Sequence, residues 1–214
     1  MSTNEIKSVK ITNADPSALG LFGLAMVTLV ASSQKLGFTE GLSFLIPWAL
    51  FLGGFAQLFA CVEDSKRHNL FGTTAFGAYG LFWVAVAASW LMKLGFFGEA
   101  IAANIDGKQL GVAFIGYLIF SIYMTIAATE TNKVLFAILC LIDVLFIGLA
   151  MDSFGVLSGF FHPLAAYTEL VISVLGFYGS AAAMLNAHFG RVFLPVGKPM
   201  GIFKKPEVKL SKVA

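Results

Sequence analysis

Apolar positions along this chain gather into six stretches, near Ala18–Ser33, Ser43–Val62, Leu70–Met92, Leu110–Ala128, Val134–Met151 and Ala166–Ala187. Each holds roughly 17–22 residues, against the roughly 20 that a helix needs to span about 30 Å of hydrocarbon. The pattern predicts an all-α integral membrane protein with six transmembrane helices in one bundle. Connections of about 5–17 residues leave little chain for a water-soluble domain. Because every backbone polar group must be satisfied inside the bilayer, one compact helical domain is the economical reading. The expected organisation is an N-terminal tail over 1–17, a six-helix domain over 18–187 and a basic C-terminal tail over 188–214. Two lysines precede the first apolar run, but no small-residue cleavage site ends it, so it reads as a retained helix rather than a signal peptide.

Composition sharpens this picture. A soluble fold with 58% hydrophobic residues, 12% charged residues and a mean hydropathy of +0.84 would have almost no surface to offer water. The small net charge of +2 hides an asymmetry that orients the bundle. The N-terminal tail, the second and fourth loops and the C-terminal tail carry 11 basic residues, among them Lys7, Lys10, Lys66, Arg67, Lys133 and Arg191. The other side carries 3, Lys35, Lys93 and Lys108. Both termini are therefore expected in the cytoplasm. The basic tail reads as a topology signal beside anionic lipid, not as a nucleic-acid site.

The spans are rich in Gly, Ala and Ser, which let helix backbones approach closely in lipid. In the third span Thr73, Gly77, Gly80 and Val84 recur at helical spacing as a small-residue stripe. Phe76, Tyr79 and Trp83 repeat on a neighbouring, bulky face. The stripe reads as bundle packing; for Tyr79 a cavity-facing and an interior-packing role both stand, since a buried phenol needs a partner for its hydroxyl.

Polar groups at membrane depth are few, and each is informative. Gln57 follows Gly53 and Gly54 and either bonds a neighbouring helix or lines a wet path. Thr73 and Thr74 open the third span after Asn69, and threonine can satisfy itself on the preceding turn. Asp143 lies near the middle of the fifth span, where an ionised carboxylate is costly unless paired or hydrated. Proton coupling and a hydrogen-bonded interhelix contact are its two readings. Glu169, near the start of the sixth span, is expected to reach the interface.

Catalytic and metal readings find no support. Neither a nucleophile elbow, nor a zinc-binding histidine pair, nor a phosphate-cradling glycine loop is present. His68, His162 and His188 are scattered and read as solvated surface residues. Cys61 and Cys140 sit singly in spans without metal-ligand spacing and read as small packing residues. No catalytic residue, metal or cofactor is expected.

Several motifs then fall in order between residues 13 and 197. Asn13-Ala14-Asp15-Pro16-Ser17-Ala18-Leu19-Gly20-Leu21 opens the first span. Gly53-Gly54-Phe55-Ala56-Gln57 lies in the second. Asn69-Leu70-Phe71-Gly72-Thr73-Thr74-Ala75-Phe76 runs into Tyr79-Gly80-Leu81-Phe82-Trp83, and Phe189-Gly190-Arg191-Val192-Phe193-Leu194-Pro195 ends the last. Jointly these resemble the signatures of the acetate uptake transporter family, which includes the succinate–acetate permeases. The first motif is similar to Asn-Pro-Ala-Pro-Leu-Gly-Leu, although Asp15 stands where Asn is usual, Ala18 replaces the second Pro and Asn13 lies two residues early.

The resemblance implies a homo-hexamer of six-helix protomers in the cell membrane, each with its own path and a hydrophobic constriction. By position the constriction would comprise Leu24, Tyr79 and Ile142, where Phe and Leu are usual at the first and third. Asp15, Pro16, Leu19, Gly20, Gln57, Asn69, Thr73 and Thr74 would line the path, with Asp143 the candidate for proton coupling. If Ile142 faces the path, Asp143 points about 100° away, toward a neighbouring helix. The implied partners are acetate or a related short carboxylate such as succinate, protons and the lipid bilayer. A neck that strips water penalises a carboxylate ion far more than the neutral acid, so a proton should travel with the anion. An acidic Asp15 at the entrance would weaken anion attraction or alter proton dependence. A channel for urea or ammonia, and a non-transporting sensor or scaffold acting through the basic tail, are the alternatives.

Overall fold

The computed structural model describes residues 13–203 of the 214-residue chain. Lys7, Lys10, Lys204, Lys205, Lys209 and Lys212, which weighed in the orientation argument, lie outside the described residues. Among the described residues six helices are long and apolar enough to cross a membrane: α1 (Ser17–Lys35), α2 (Leu45–Lys66), α3 (Leu70–Lys93), α4 (Gly107–Ala128), α5 (Lys133–Ser153) and α6 (Ser158–Phe189). Both ends of the described chain therefore emerge at the same end of the bundle, called here the terminal end.

Three helices start on side-chain caps that accept the first orphan backbone N–H groups. Asn69 Oδ1 accepts from Gly72, Asp106 Oδ1 from Lys108 and Asn132 Oδ1 from Leu135, at 3.2, 2.9 and 2.9 Å. The sixth helix begins eight residues before the expected Ala166, because Pro163 is absorbed within its second turn. Its start follows Leu157 at φ 44°, and it stops at Gly190 with φ 61°, the left-handed conformation that glycine adopts without strain. At 1.5 Å per residue its 32 residues extend about 48 Å, well beyond the hydrocarbon core.

The helices form a ring in which α1 packs on α2 and α6, α3 on α2, and α5 on α4 and α6. Small residues set these contacts. Gly176 lies on Ala25, and Ser173 Oγ donates to the Ala25 carbonyl at 2.8 Å, joining α6 to α1. The second helix is π-helical over Ala49–Ala56, where Gly53 meets Trp83 and Gly54 meets Val84 and Gly80 of α3. Gly77 rests on Cys61, so the small stripe of α3 does face α2. The backbones of α3 and α4 stay further apart, and aromatic rings fill the gap: Phe82, Phe114, Tyr117, Phe120 and Phe146. Outward faces stay apolar, as in the row Phe51, Phe55 and Phe59 on α2.

Beyond Gly190 the chain does not leave the bundle at once. Asn186 Oδ1 accepts from the N–H groups of Phe193 and Leu194 at 2.7 and 2.9 Å, while its Nδ2 donates to the Leu194 carbonyl at 2.9 Å. Val134 N–H donates to the Val196 carbonyl at 3.2 Å, and Met200 N–H to the Thr129 carbonyl at 2.8 Å. Residues 190–203 thus form a strap across the terminal ends of α4 and α5.

Candidate functional site

The ring encloses a cavity of about 370 Å³ that opens at the terminal end. Its mouth is polar, lined by Asp15, Ser17, Asn69, Thr131, Asn132 and Asn186, with Val196 of the strap on its rim. Its deeper wall is apolar and includes Leu21, Leu24, Ile138, Leu139, Ile142 and Tyr79. Tyr79 lies ten residues below Asn69, about 15 Å along the helix axis and near mid-membrane depth. Further on, the interior between α3, α4 and α5 is filled by Phe82, Tyr117 and Phe146, with ring centroids 4.9–5.7 Å apart.

The structure brings together one part of the expected site set and leaves another part elsewhere. Leu24, Tyr79 and Ile142, from three different helices, share the cavity wall with Asp15, Gln57 and Asn69. Pro16, Leu19, Gly20, Thr73 and Thr74 are not on that wall. Leu19 is exposed at the outer face, and Gly20 is buried where its Cα meets the ring of Phe76. Gly20 thus serves close packing of α1 on α3.

Tyr79 resolves its two readings by combining them. Its side chain lines the cavity, while its hydroxyl donates to Ser121 Oγ on α4 at 3.0 Å and its ring packs with Phe120 in a T-shaped pair. Gln57 ends the π-helical stretch, is 2% exposed, and its Nε2 has no hydrogen-bond partner. An unpaired buried donor on a cavity wall is suited to an acceptor atom that passes. Asp143 accepts a hydrogen bond from Thr125 Oγ1 of α4 at 2.8 Å and is absent from the cavity wall. That position is the neighbouring-helix direction expected for it.

Ionic groups collect at both ends. At the mouth Arg67 meets Asp15 at 3.2 Å, and Glu63 is held by Lys66 at 2.6 Å and by Asn13 Nδ2 at 2.8 Å. Partial burial pushes the Asp15 carboxyl up, but the Ser17 and Arg67 donors outweigh it and hold it below the usual value. At the opposite end Lys35 of α1 reaches Glu169 of α6 at 2.7 Å. Glu169 is 2% exposed, which corrects its expected interfacial position; the largely buried Lys35 side chain reaches in to meet it. His162 bridges Asp152 and the Lys35 carbonyl at 3.0 and 3.3 Å.

One buried carboxylate at the mouth, Asp64, was not singled out in the sequence. It lines the cavity at the last turn of α2, where a position so near a charged loop reads as solvated.

A ring of six spanning helices around a blind, polar-mouthed cavity defines a multi-pass membrane protein. The family model described as the GPR1/FUN34/yaaH family matches residues 2–198, so the chain belongs to that family, as its ordered motifs indicated. The chain is 32% identical over 186 residues to the succinate-acetate/proton symporter SatP of Escherichia coli (strain K12), a match that covers 86% of this chain and 96% of that protein. It is 29% identical over 145 residues to ammonia transport outward protein 2 of Saccharomyces cerevisiae, covering 66% of this chain and 51% of that one. Among solved structures, the bacterial acetate channel SatP superposes with a TM-score of 0.80 at 30% identity, over 87% of this chain and all of that one.

Proposed function

We propose that the protein carries acetate and related short carboxylates, succinate among them, across the cytoplasmic membrane through the cavity of each protomer. The observation that carries this reading is the cavity itself: a polar mouth leading to a narrow apolar wall, with the unpaired Gln57 amide between them. The similarity to a succinate-acetate/proton symporter and to an acetate channel supports the choice of substrate. Leu24, Tyr79 and Ile142 act as the constriction, and Gln57 and Asn69 offer donors to a carboxylate on its terminal side. Stripping water from the substrate at an apolar neck disfavours the bare anion, so a proton accompanies it. Asp143 is bonded to α4 off the wall, and its position favours an interhelix contact over direct coupling.

The terminal end faces the cytoplasm in this reading, on the strength of the basic-residue asymmetry. The exposed phenylalanine row of α2 suits a protomer contact within a hexamer. The decisive experiment is uptake of labelled acetate into proteoliposomes under an imposed pH gradient. Uptake no faster than into protein-free liposomes would overturn the proposal.

A second reading is passage of ammonia or another small neutral solute, favoured by the similarity to the yeast protein named for outward ammonia transport. A hydrophobic neck serves a neutral solute equally well. Acetate inhibition of each candidate solute's flux, or its absence, separates the two.

A further inference from the structure

Among the described residues, Asp15 and Asp64 line the cavity at its mouth and Glu63 lies next to Asp64 in sequence, and two of these three carboxylates are paired. Asp15 meets Arg67 and the Ser17 N–H, and Glu63 meets Lys66 and Asn13. Asp64 differs. It is 1% exposed, lines the cavity, and neither carboxylate oxygen makes a well-aligned hydrogen bond; the Asn69 side-chain amide beside it is the donor that acts on it. Its carboxylate lies against the Cα of Gly72, in space that any larger residue there would fill with its Cβ. The chain therefore keeps a glycine one turn into α3 that admits this group. The backbone carbonyl of Asp64 accepts from Asn69 and Arg67 at 3.0 and 3.1 Å, which fixes the residue in place.

An ionised carboxylate buried with a neutral amide beside it and no cation of its own is expensive, and in the path of an anionic substrate it would also repel. The charged groups acting on it are Asp15 ahead of α1 and Arg67 on its own segment, already engaged with each other. Cys61 lies one turn back on α2. The first turn of α3 brings only neutral Asn69, and the facing wall brings neutral Asn132 and Asn186. A carboxyl group here is compatible with a carboxylate substrate when one proton is shared between them.

We propose that Asp64 is the proton-holding group of the cavity, receiving the substrate carboxylate as a hydrogen-bonded acid–carboxylate pair. This rests on the carboxylate-transport reading above. The Asp64 carboxyl donates its O–H to a substrate oxygen, a charge-assisted bond stronger than a neutral one. Transfer of that proton leaves the Asp64 carboxylate and the neutral acid, which then meets the apolar wall of Leu24, Tyr79 and Ile142. Water at the mouth returns a proton to Asp64. Proton and substrate are thereby taken up together at one site, with no other reactant.

The test is equilibrium binding of labelled acetate to purified protein between about pH 6 and 9, where free acetate and ordinary carboxylates are already ionised. One linked proton makes wild-type affinity fall by up to about tenfold per pH unit. Asp64→Asn, which keeps the shape and cannot titrate, is expected to bind with no such slope, while Asp143→Asn keeps it. The same slope in Asp64→Asn, or none in the wild type, overturns the assignment. A second measurement covers an Asp64→Asn protein that does not fold. Infrared spectra of wild type should then show a protonated carboxyl band that acetate perturbs and that Asp143→Asn retains. A band lost in Asp143→Asn, or insensitive to acetate, overturns the assignment as well. Labelled-acetate uptake by the same wild-type preparation keeps the two levels apart. Absent uptake defeats the transport reading, whereas normal uptake with an unlinked proton defeats only the role of Asp64.

Discussion

Tyr79 shows how one side chain can hold a wall and shape it. Its hydroxyl is anchored on Ser121 and its ring is packed against Phe120, two contacts that hold it at the cavity wall. Tyr79→Phe removes the anchor and is expected to cost about 1 kcal/mol of stability, readable as a modest fall in melting temperature. Tyr79→Ala widens the wall, and larger carboxylates should gain on acetate in competition uptake. Asp15 has a different role. Its carboxyl, held low by Ser17 and Arg67, is ionised at neutral pH. The stability it contributes is present above the ordinary carboxylate value of 3.8 and is lost as pH falls through the lower folded value. At transport pH the group is therefore an anion beside the mouth. Asp15→Asn should release Arg67 and lower the half-saturating acetate concentration severalfold at low ionic strength, an effect that added salt shrinks.

At the scale of elements, α2 and the strap carry most of what the spacing of residues did not disclose. The two glycines of α2 read as close-packing residues, and they do pack, Gly53 on Trp83 and Gly54 on Val84. That the same segment is π-helical could not be read, since the wider i→i+5 bonding depends on how α3 presses against it. Gly54→Leu should push the two helices apart and destabilise the fold by about 1–3 kcal/mol, measurable by thermal unfolding in detergent. The C-terminal tail was read for its charge and for the motif that opens it. Its first part is instead fastened by Asn186 over the terminal ends of α4 and α5. Asn186→Ala removes all three of that side chain's bonds, and hydrogen exchange at Phe193 and Leu194 should quicken by at least tenfold.

For the whole molecule, six spans and their order were legible because hydrocarbon thickness imposes a length on every crossing helix. Solution mass of the purified protein is expected to be six times that of one chain, and a tag on the C-terminus is expected to be reached only from the cytoplasmic side. The residues of the cavity wall were partly legible. Leu24, Tyr79 and Ile142 belong to three helices far apart in sequence, and motif positions sufficed to name them together. Thr73 and Thr74 were named by the same logic, yet they lie off the wall, because the rotation of α3 about its axis is set by the glycines of α2. Asp64 was passed over and Glu169 was placed at the interface for a related reason. A carboxylate near a helix end can snorkel to water, and only the neighbouring helix decides whether it does. The sequence by itself determined the solvent, the number of crossings and the family, since these follow from apolar length and from residue order. Only the tertiary structure decided which polar groups are buried, which are paired and which face the cavity. Those properties belong to the space between helices, where Gly72 leaves room for Asp64 and Lys35 reaches Glu169 across 134 residues of chain.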